Sequence, residues 1–394
     1  MAINRGEGRS DMKRKICIVL TVRGNYAKMK SIMKEIKNRS NCELQLVVGG
    51  AVILHKFGNP INIIEADGFE ISEMVHFLVE GGKPITMAKS TGLAVVELST
   101  VFENLRPDIV MAIADRFEAL AVAVAASYMN IPVAHLEGGE LSGSIDESIR
   151  HAITKLSHIH FVATQKSAER VIKMGEDPEN VYVVGSPTID LIRDLNLDLD
   201  FDVFEKYAGV GALVPVTKNN YIVVSQHPVT TEYESASTQV QETLHAINDI
   251  NMPALWLWPN MDAGTDEISK GIRMFREKYQ PRHIHFFKNF AFEDYAKLIN
   301  NSAVLVGNTS SGIRESAYLG VPVVNIGTRQ NHRERGENVI DVNYSRDEIR
   351  EAIKKQIARG KYPGNHLYGD GRAGEKIAEI LSTRKISVQK RLMY

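Results

Sequence analysis

The chain has 394 residues, with 47 lysines and arginines against 48 acidic residues, a net charge of -1 and 44% hydrophobic residues. This length is enough for two domains with separate cores, and the near-neutral charge argues against a nucleic-acid binder or a protein held on an anionic membrane. Two cysteines cannot form a disulfide framework and no apolar run reaches the roughly 18 residues of a membrane span, so we expect a cytoplasmic protein.

The first half of the chain alternates short runs rich in Val and Ile with segments of helical period. Residues 1–11 are polar and predict a flexible tail ahead of a first domain at residues 12–195. Segments such as 91–105 and 117–129 have apolar residues three and four apart, which predicts helices. This alternation indicates a doubly wound parallel α/β sheet. Its strands are predicted at residues 15–20, 44–48, 109–114, 133–136, 159–163 and 181–184.

The same alternation begins again after a break. Residues 194–202 are acidic and residues 209–220 are rich in Gly, Pro and Asn, so a loop and a domain junction are predicted there. The second domain is expected at residues 196–372. Two successive α/β domains place a cleft between them, and ligands of such sheets bind at the carboxyl ends of the strands. Strands of this domain are predicted at residues 221–225, 255–258, 283–287, 303–306, 321–326 and 339–342.

Charged side chains gather at the strand ends of the first domain. The carboxylates are Asp115, Glu137 and Asp146, and the candidate substrate-binding residues beside them are Arg116, His135 and Arg150. Such a cluster indicates general acid and base chemistry. Asp115 and Asp146 are also in positions where an aspartate would cap the following helix. Glu137 stands directly after an apolar strand and before two glycines, which favours a carboxylate that faces an open strand end.

The second domain has the pattern of an anion-binding site. Segment 306–315, VGNTSSGIRE, follows a predicted strand and opens a helix. Ser310, Ser311 and Gly312 would present hydroxyl and N–H groups to a phosphate there. Four further polar residues follow other strands of the same domain: His227, Asn260, Asp262 and Arg329. Together these residues predict a pocket for a nucleotide diphosphate.

No pattern in the sequence indicates a metal site or a bound cofactor. Two pairs of histidines, at 158 and 160 and at 283 and 285, have neither paired cysteines nor an HExxH motif, so core or surface positions are expected for them. The glycine-rich segments match neither a P-loop nor a dinucleotide fingerprint, which argues against an NTPase or a dehydrogenase. Cys17 and Trp256 lie in predicted strands and are expected to pack in the core.

Several motifs together resemble the hydrolysing UDP-N-acetylglucosamine 2-epimerases, which include bacterial sialic-acid pathway enzymes and the epimerase half of an animal bifunctional epimerase/kinase. The motifs are HLEGGELSGSIDESIRHAITKLSH from residue 135, QHPVTT, PNMDAG, GNTSSGIRE, and GTRQ followed by GENV. The resemblance covers residues 15–376. It implies the GT-B architecture of two Rossmann-like domains, with residues 373–394 forming a C-terminal helix that packs back on the first domain.

The resemblance also implies a reaction. In that family UDP leaves the sugar by anti elimination, a 2-acetamidoglucal forms, and in the hydrolysing branch water adds to release N-acetylmannosamine. Asp115, Glu137 and Asp146 match the catalytic carboxylates, and no cofactor, nucleic acid or membrane is involved. The family is commonly dimeric or tetrameric, so a homo-oligomer is expected. The implied ligand-binding residues are Arg23 and Arg116 near the nucleotide, His227, Ser310, Ser311 and Arg329 at the diphosphate, Glu315 at the ribose, and Asn260 and Asp262 at the sugar.

Three alternatives remain open at this point. The same motifs occur in enzymes that act on UDP-2,4-diacetamido-2,4,6-trideoxyglucose in legionaminic-acid synthesis. Non-hydrolysing UDP-N-acetylglucosamine 2-epimerases share the fold, although the SGSIDESIRHA block resembles the hydrolysing branch. A GT-B glycosyltransferase would use the same nucleotide pocket, but it needs one base at most, so the three carboxylates argue against it.

Overall fold

The fold is given by a computed structural model that describes residues 13–54, 60–80, 84–142, 145–259 and 264–393, with the side chain of Arg23 left out. The predicted tail at residues 1–11 lies outside the described residues. Two parallel-dominated sheets, each with seven strands in the described part of the chain, succeed one another along the sequence. This arrangement confirms the predicted α/β class with two doubly wound sheets.

The first sheet has the strand order β3-β2-β1-β4-β5-β6-β7 and all its pairings are parallel. Its strands are β1 (Arg14–Leu20), β2 (Cys42–Gly49), β3 (Glu73–Val75), β4 (Ile109–Ile113), β5 (Val133–Leu136), β6 (Ile159–Val162) and β7 (Val181–Val183). The helices of this half are α1 (Arg23–Lys37), α2 (Pro60–Ala66), α3 (Pro84–Leu105), α4 (Phe117–Tyr128), α5 (Asp146–Leu156), α6 (Gln165–Lys173) and α7 (Pro187–Arg193).

The second sheet has the strand order β14-β13-β12-β9-β10-β11-β8, and only the edge strand β8 is antiparallel to its neighbour among the described pairs. Its strands are β8 (Gly209–Gly211), β9 (Ile222–Ser225), β10 (Ala254–Leu257), β11 (Ile284–Phe287), β12 (Val304–Gly307), β13 (Val323–Ile326) and β14 (Val339–Val342). The remaining helices are α8 (Val203–Lys206), α9 (Ala236–Ile250), α10 (Thr265–Tyr279), α11 (Phe292–Asn301), α12 (Glu315–Leu319), α13 (Arg346–Arg359) and α14 (Ala373–Thr383).

Both faces of the first sheet are buried, which explains the continuous apolar runs in its strands. Ile16, Ile18 and Leu20 of β1 belong to one core cluster, whereas Cys17 and Val19 belong to the cluster on the opposite face. Alternate residues of a strand point to opposite faces, so a sheet covered by helices on both sides needs apolar residues at every position. Cys17 is fully buried, as predicted.

Two strands differ from the sequence prediction. Residues 209–211 were predicted as part of a loop, but Gly209–Gly211 pairs antiparallel with β11 at the sheet edge. A three-residue strand with two glycines lacks the alternating apolar pattern that marks longer strands, so its backbone pairing alone defines it. The short strand β3 was also missed, and two of its three residues are exposed.

Helix α14 returns the end of the chain to the first half of the molecule, where it contacts α1 and α7. Asp190 of α7 accepts hydrogen bonds from the backbone N–H groups of Ala373 at 2.9 Å and Gly374 at 2.7 Å. A Cβ atom at Gly374 would lie 2.9 Å from the backbone and side chain of Ser31 on α1, so glycine permits the close approach of the two helices. Among the described residues no helix combines the length and the apolar character needed to cross a bilayer.

Candidate active site

The strand order brings the predicted carboxylates together. β4 and β5 are paired neighbours in parallel register, so Asp115 and Glu137, which follow them, lie at the same edge of the first sheet. Ala114 and Glu137 have positive φ angles of 61° and 65°. Residues with side chains rarely adopt this left-handed conformation, and it is found preferentially where the surrounding structure fixes a functional turn.

Asp115 is held by an arginine from the helix that carries the third carboxylate. The Nη2 atom of Arg150 on α5 donates to the Asp115 carboxylate, and its Nη1 atom donates to the backbone carbonyl of Glu140 at 2.7 Å. Arg150 is 1% exposed, whereas the Asp115 side chain keeps 21% of its surface accessible. The arginine therefore neutralises and orients an aspartate that remains open to a ligand.

His135 has a structural position rather than the ligand-binding one expected from the sequence. Its ring is fully buried, with Nε2 2.8 Å from the Ala114 carbonyl oxygen and Nδ1 3.1 Å from the Thr154 hydroxyl. Because a carbonyl oxygen only accepts, Nε2 carries the proton and Nδ1 accepts from Thr154. Burial lowers the pKa of His135 to about 4, so the ring is neutral. His135 thus fixes the turn that carries Asp115.

Glu137 lies between cations from both halves of the molecule. Glu137 is 1% exposed. Its Oε2 atom lies 2.6 Å from Nζ of Lys28 on α1, and its Oε1 atom lies 2.7 Å from Nη1 of Arg314, the residue directly before α12. Burial alone would raise the pKa of Glu137, but the charges of Arg314 and Lys28 outweigh burial and lower it to about 2. Glu137 is therefore a buried carboxylate that stays ionised at neutral pH.

Glu140 extends this cluster and was not singled out from the sequence. It is 3% exposed, and its Oε2 atom lies 2.6 Å from Arg314 Nη2 and 3.0 Å from Arg333 Nη2. Glu140 and Arg314 both stand inside motifs that the sequence analysis quoted. The pairing joins residues 174 positions apart, which no spacing rule for local structure can reveal.

Asp146 is the first residue of α5 and is partly buried. The N-cap position of this helix is Ile145, and that of α4 is Arg116, so neither Asp146 nor Asp115 occupies the capping position considered for it. Asp146 and Arg150 are four residues apart and lie on one face of α5. Since Arg150 binds Asp115, Asp146 lies one helical turn from the side chain that holds Asp115.

In the second half, Asn308 ties together the loops that carry the predicted phosphate-binding residues. β9 and β12 are paired neighbours, and the loops that follow them meet at this fully buried side chain. Its Oδ1 atom accepts from the His227 N–H at 2.7 Å, and its Nδ2 atom donates to the His227 carbonyl at 2.8 Å. The Asn308 carbonyl accepts from Arg329 Nη1 at 3.1 Å and Gln330 Nε2 at 2.9 Å.

The predicted phosphate-binding turn lies beside this asparagine. Ser310–Gly312 form one 3-10 turn after β12, and the Thr309 side chain accepts from the Ser311 N–H at 3.4 Å. Glu315, at the start of α12, is 5% exposed, and its Oε2 atom has no hydrogen-bond partner within the described part of the chain. A buried acceptor without a donor is costly, so this atom suits a ligand hydroxyl.

Among the other predicted binding residues, only Arg116 has a described side chain. Arg116 is partly exposed, with Nε 3.2 Å from a Glu118 carboxylate oxygen, beside the turn of Asp115. Arg23 begins α1, but its side chain lies outside the description, as do Asn260 and Asp262. No group of three or more His, Cys, Asp or Glu residues that could hold a metal ion occurs in the described ranges.

Comparison with known proteins identifies the family. A family model described as UDP-N-acetylglucosamine 2-epimerase matches residues 34–382. A UDP-N,N'-diacetylbacillosamine 2-epimerase (hydrolyzing) of Legionella pneumophila is 36% identical over 94% of this chain and 96% of that protein. A UDP-N-acetylglucosamine 2-epimerase of Neisseria meningitidis is 32% identical over 97% of this chain and 99% of that protein. These matches confirm the resemblance inferred from the motifs.

A solved structure shows the same fold. The crystal structure of Methanocaldococcus jannaschii UDP-GlcNAc 2-epimerase in complex with UDP-GlcNAc and UDP superposes with a TM-score of 0.78, covering 93% of this chain and 99% of that one at 18% identity. The likeness confirms the GT-B-like arrangement of two sheets. With the family match over most of its length, the chain belongs to the UDP-N-acetylglucosamine 2-epimerase family.

Proposed function

We propose that this protein is a hydrolysing 2-epimerase that converts UDP-N-acetylglucosamine and water into N-acetylmannosamine and UDP. The observation that carries the proposal is the meeting of Glu137 and Arg314, which joins the carboxylate edge of the first sheet to the phosphate-binding turn of the second. A sugar held at this junction would have its C2 carbon near carboxylates and its diphosphate near Ser310 and Ser311. Elimination needs both kinds of group at once.

The first step requires one carboxylate to act as a base. A base removes the proton from C2 while the bond between C1 and the diphosphate oxygen breaks, so the electron pair of the C–H bond forms the C1–C2 double bond. A base must be ionised before it can accept a proton, and the low pKa of Glu137 keeps it so. We propose Glu137 as the base because it is ionised and also lies where the carboxylate edge of the first sheet meets the phosphate-binding half.

The second step adds water to the glucal. Hydroxide is delivered to C1 and a proton to the face of C2 opposite the one that lost it, which gives the inverted configuration at that carbon. A proton donor is needed, and Asp115 and Asp146 are the remaining carboxylates of the cluster. Arg150 of α5 binds Asp115, and Asp146 is four residues before Arg150 on the same helix, so the donor is assigned to this pair rather than to either residue.

The leaving diphosphate is stabilised by the second half of the molecule. Asn308 holds the backbone of His227 and accepts a hydrogen bond from Arg329, and the turn beginning at Ser310 follows Asn308 by two residues. Donors that are already oriented toward developing negative charge lower the barrier without reorganising during the reaction. Glu315, with its buried Oε2 atom, is positioned to accept hydrogen bonds from the ribose hydroxyls.

A second substrate is supported by one specific observation. The Legionella relative, 36% identical over nearly its whole length, is named for UDP-N,N'-diacetylbacillosamine and for hydrolysis. That sugar differs from N-acetylglucosamine at C4 and C6, away from the carbons that react. The same carboxylates would therefore serve either substrate, and the choice depends on contacts to C4 and C6.

Release of UDP from each nucleotide sugar tests the proposal. We expect stoichiometric UDP and a free 2-acetamido sugar, with the larger kcat/KM for UDP-N-acetylglucosamine; a larger value for the diacetamido sugar would select the second substrate. The Glu137→Gln variant should bind UDP normally but release none from substrate, because the base is lost while the side-chain size is kept. Glu351→Gln, at an exposed position on α13, is the matched control and should behave as the native protein. Loss of UDP binding by Glu137→Gln would instead assign this residue a structural role.

A further inference from the structure

Arg314 is placed where the two halves of the molecule meet, yet it follows the phosphate-binding turn by only two residues. Its side chain is 4% exposed and extends into the first half. Nη1 donates to Glu137 at 2.7 Å and Nη2 donates to Glu140 at 2.6 Å. One planar guanidinium from the second half therefore binds two buried carboxylates of the first half, and its fixed fork of donors sets the direction from which each is approached.

Three positively charged side chains from separate segments act on Glu137. Lys28 faces it from α1, Arg314 from the segment before α12 and Arg333 from the loop after β13, while Glu140 shares the two arginines. The nearby His135 is neutral because burial lowers its pKa, and Arg150 contacts the Glu140 carbonyl. Only Lys28 and Arg314 hydrogen-bond the Glu137 carboxylate among the described side chains.

We propose that Arg314 is a positioning residue that holds the Glu137 carboxylate in its working orientation when the two halves close over a UDP-sugar. This inference rests on the proposed function, because it takes Glu137 as the base. The segment that carries Ser310 and Ser311 at the diphosphate also carries Arg314. Binding of the diphosphate and orientation of the carboxylate are thereby linked through one short segment of the chain.

The geometry distinguishes arginine from lysine at this position. A lysine ammonium supplies a similar charge but is a single point, so it cannot bond Glu137 and Glu140 along two fixed parallel directions. Removing the charge entirely leaves Glu137 with the hydrogen bond from Lys28 and the more distant charge of Arg333. The pKa of Glu137 then rises, because a cation that favours its ionised form is gone while the burial remains.

Arg314→Gln and Arg314→Lys test the inference through kinetics and pH profiles. A misplacement near 1 Å lowers turnover by about 10²-fold, so we expect that loss in kcat for Arg314→Gln, with KM for the UDP-sugar near the native value. The acidic limb of its kcat profile should move to higher pH, since Glu137 loses its ionised form at a higher pH. Arg314→Lys should restore the position of that limb but only part of kcat. Arg350→Gln, which removes a guanidinium from the surface of α13, should change neither.

Two further measurements separate a loss of folding from a change in the Glu137 carboxylate. Calorimetric binding of UDP shows whether each variant is folded, and carbon NMR of labelled glutamate carboxyls, assigned by the signal missing in Glu137→Gln, follows the Glu137 titration without any turnover. An unchanged titration and pH limb in Arg314→Gln, native kcat in Arg314→Lys, or a loss seen only in KM and UDP affinity overturns the inference. Absence of turnover by the native protein with either nucleotide sugar overturns the proposed function instead, because the NMR titration still reports on Arg314.

Discussion

Replacing His135 with glutamine tests how the turn of Asp115 is fixed. The histidine ring is fully buried and bonds the Ala114 carbonyl and the Thr154 hydroxyl. A glutamine amide retains one donor and one acceptor for these partners but does not titrate between pH 4 and pH 7. The two proteins should therefore differ in how their stability depends on pH, beyond any constant difference caused by packing.

The sign and size follow from the pKa of His135, which burial lowers to about 4 from a usual value of 6.5. Between these values the unfolded chain binds a proton that the folded chain does not, so this contribution to stability is present above pH 6.5 and is lost as the pH falls toward 4. The whole difference corresponds to about 3 kcal/mol, and about 2 kcal/mol of it should be lost by about pH 5.

Urea unfolding followed by circular dichroism at about pH 8 and about pH 5 measures this contribution. We expect the native protein to lose about 2 kcal/mol more than His135→Gln between these conditions. His76→Gln, at an exposed position, should show the native dependence. Equal losses in the native protein and His135→Gln would refute the neutral buried histidine and the role we give it at the Asp115 turn.

Three further predictions concern the phosphate side and the C-terminal helix. His227→Ala should lower kcat by about 10²-fold or more by removing stabilisation of the leaving diphosphate, and near-normal turnover would contradict that role. Gly307→Ala should destabilise the fold by about 3 kcal/mol or more in urea, because φ is 132° and a Cβ would lie 2.1 Å from the Ser225 carbonyl oxygen; a native midpoint would contradict the strain. Asp190→Asn should cost about 2 kcal/mol and expose α14 to proteolysis, since its carboxylate accepts from two backbone N–H groups at the start of that helix; unchanged cleavage would show that other contacts hold α14.

The sequence predicts the strands that position the site because their burial leaves a strong pattern. β4 and β5 are short apolar runs, and the acidic residues that follow them, Asp115 and Glu137, stand out against those runs. Buried parallel strands have this pattern on both faces. The edge strand β8 lacks it, because Gly209–Gly211 is exposed and contributes little side-chain packing.

The partners of the carboxylates could not be predicted in the same way. Arg314 and Glu137 are 177 residues apart, and Lys28 and Glu137 are 109 apart. Such pairs form only when separate strands, or both halves of the molecule, have come together, so no local spacing encodes them. The role of His135 could not be predicted for a different reason. A histidine beside an acidic cluster gives the same sequence pattern whether its ring faces a ligand or the core.

Proton NMR of the purified protein with UDP-N-acetylglucosamine in deuterated water follows both the release of UDP and the fate of the C2 proton. We expect stoichiometric UDP and free N-acetylmannosamine that carries deuterium at C2, because the proton removed in the elimination is replaced from solvent during hydration. Accumulation of UDP-N-acetylmannosamine without release of UDP, or retention of the original proton at C2, would contradict the hydrolysing elimination.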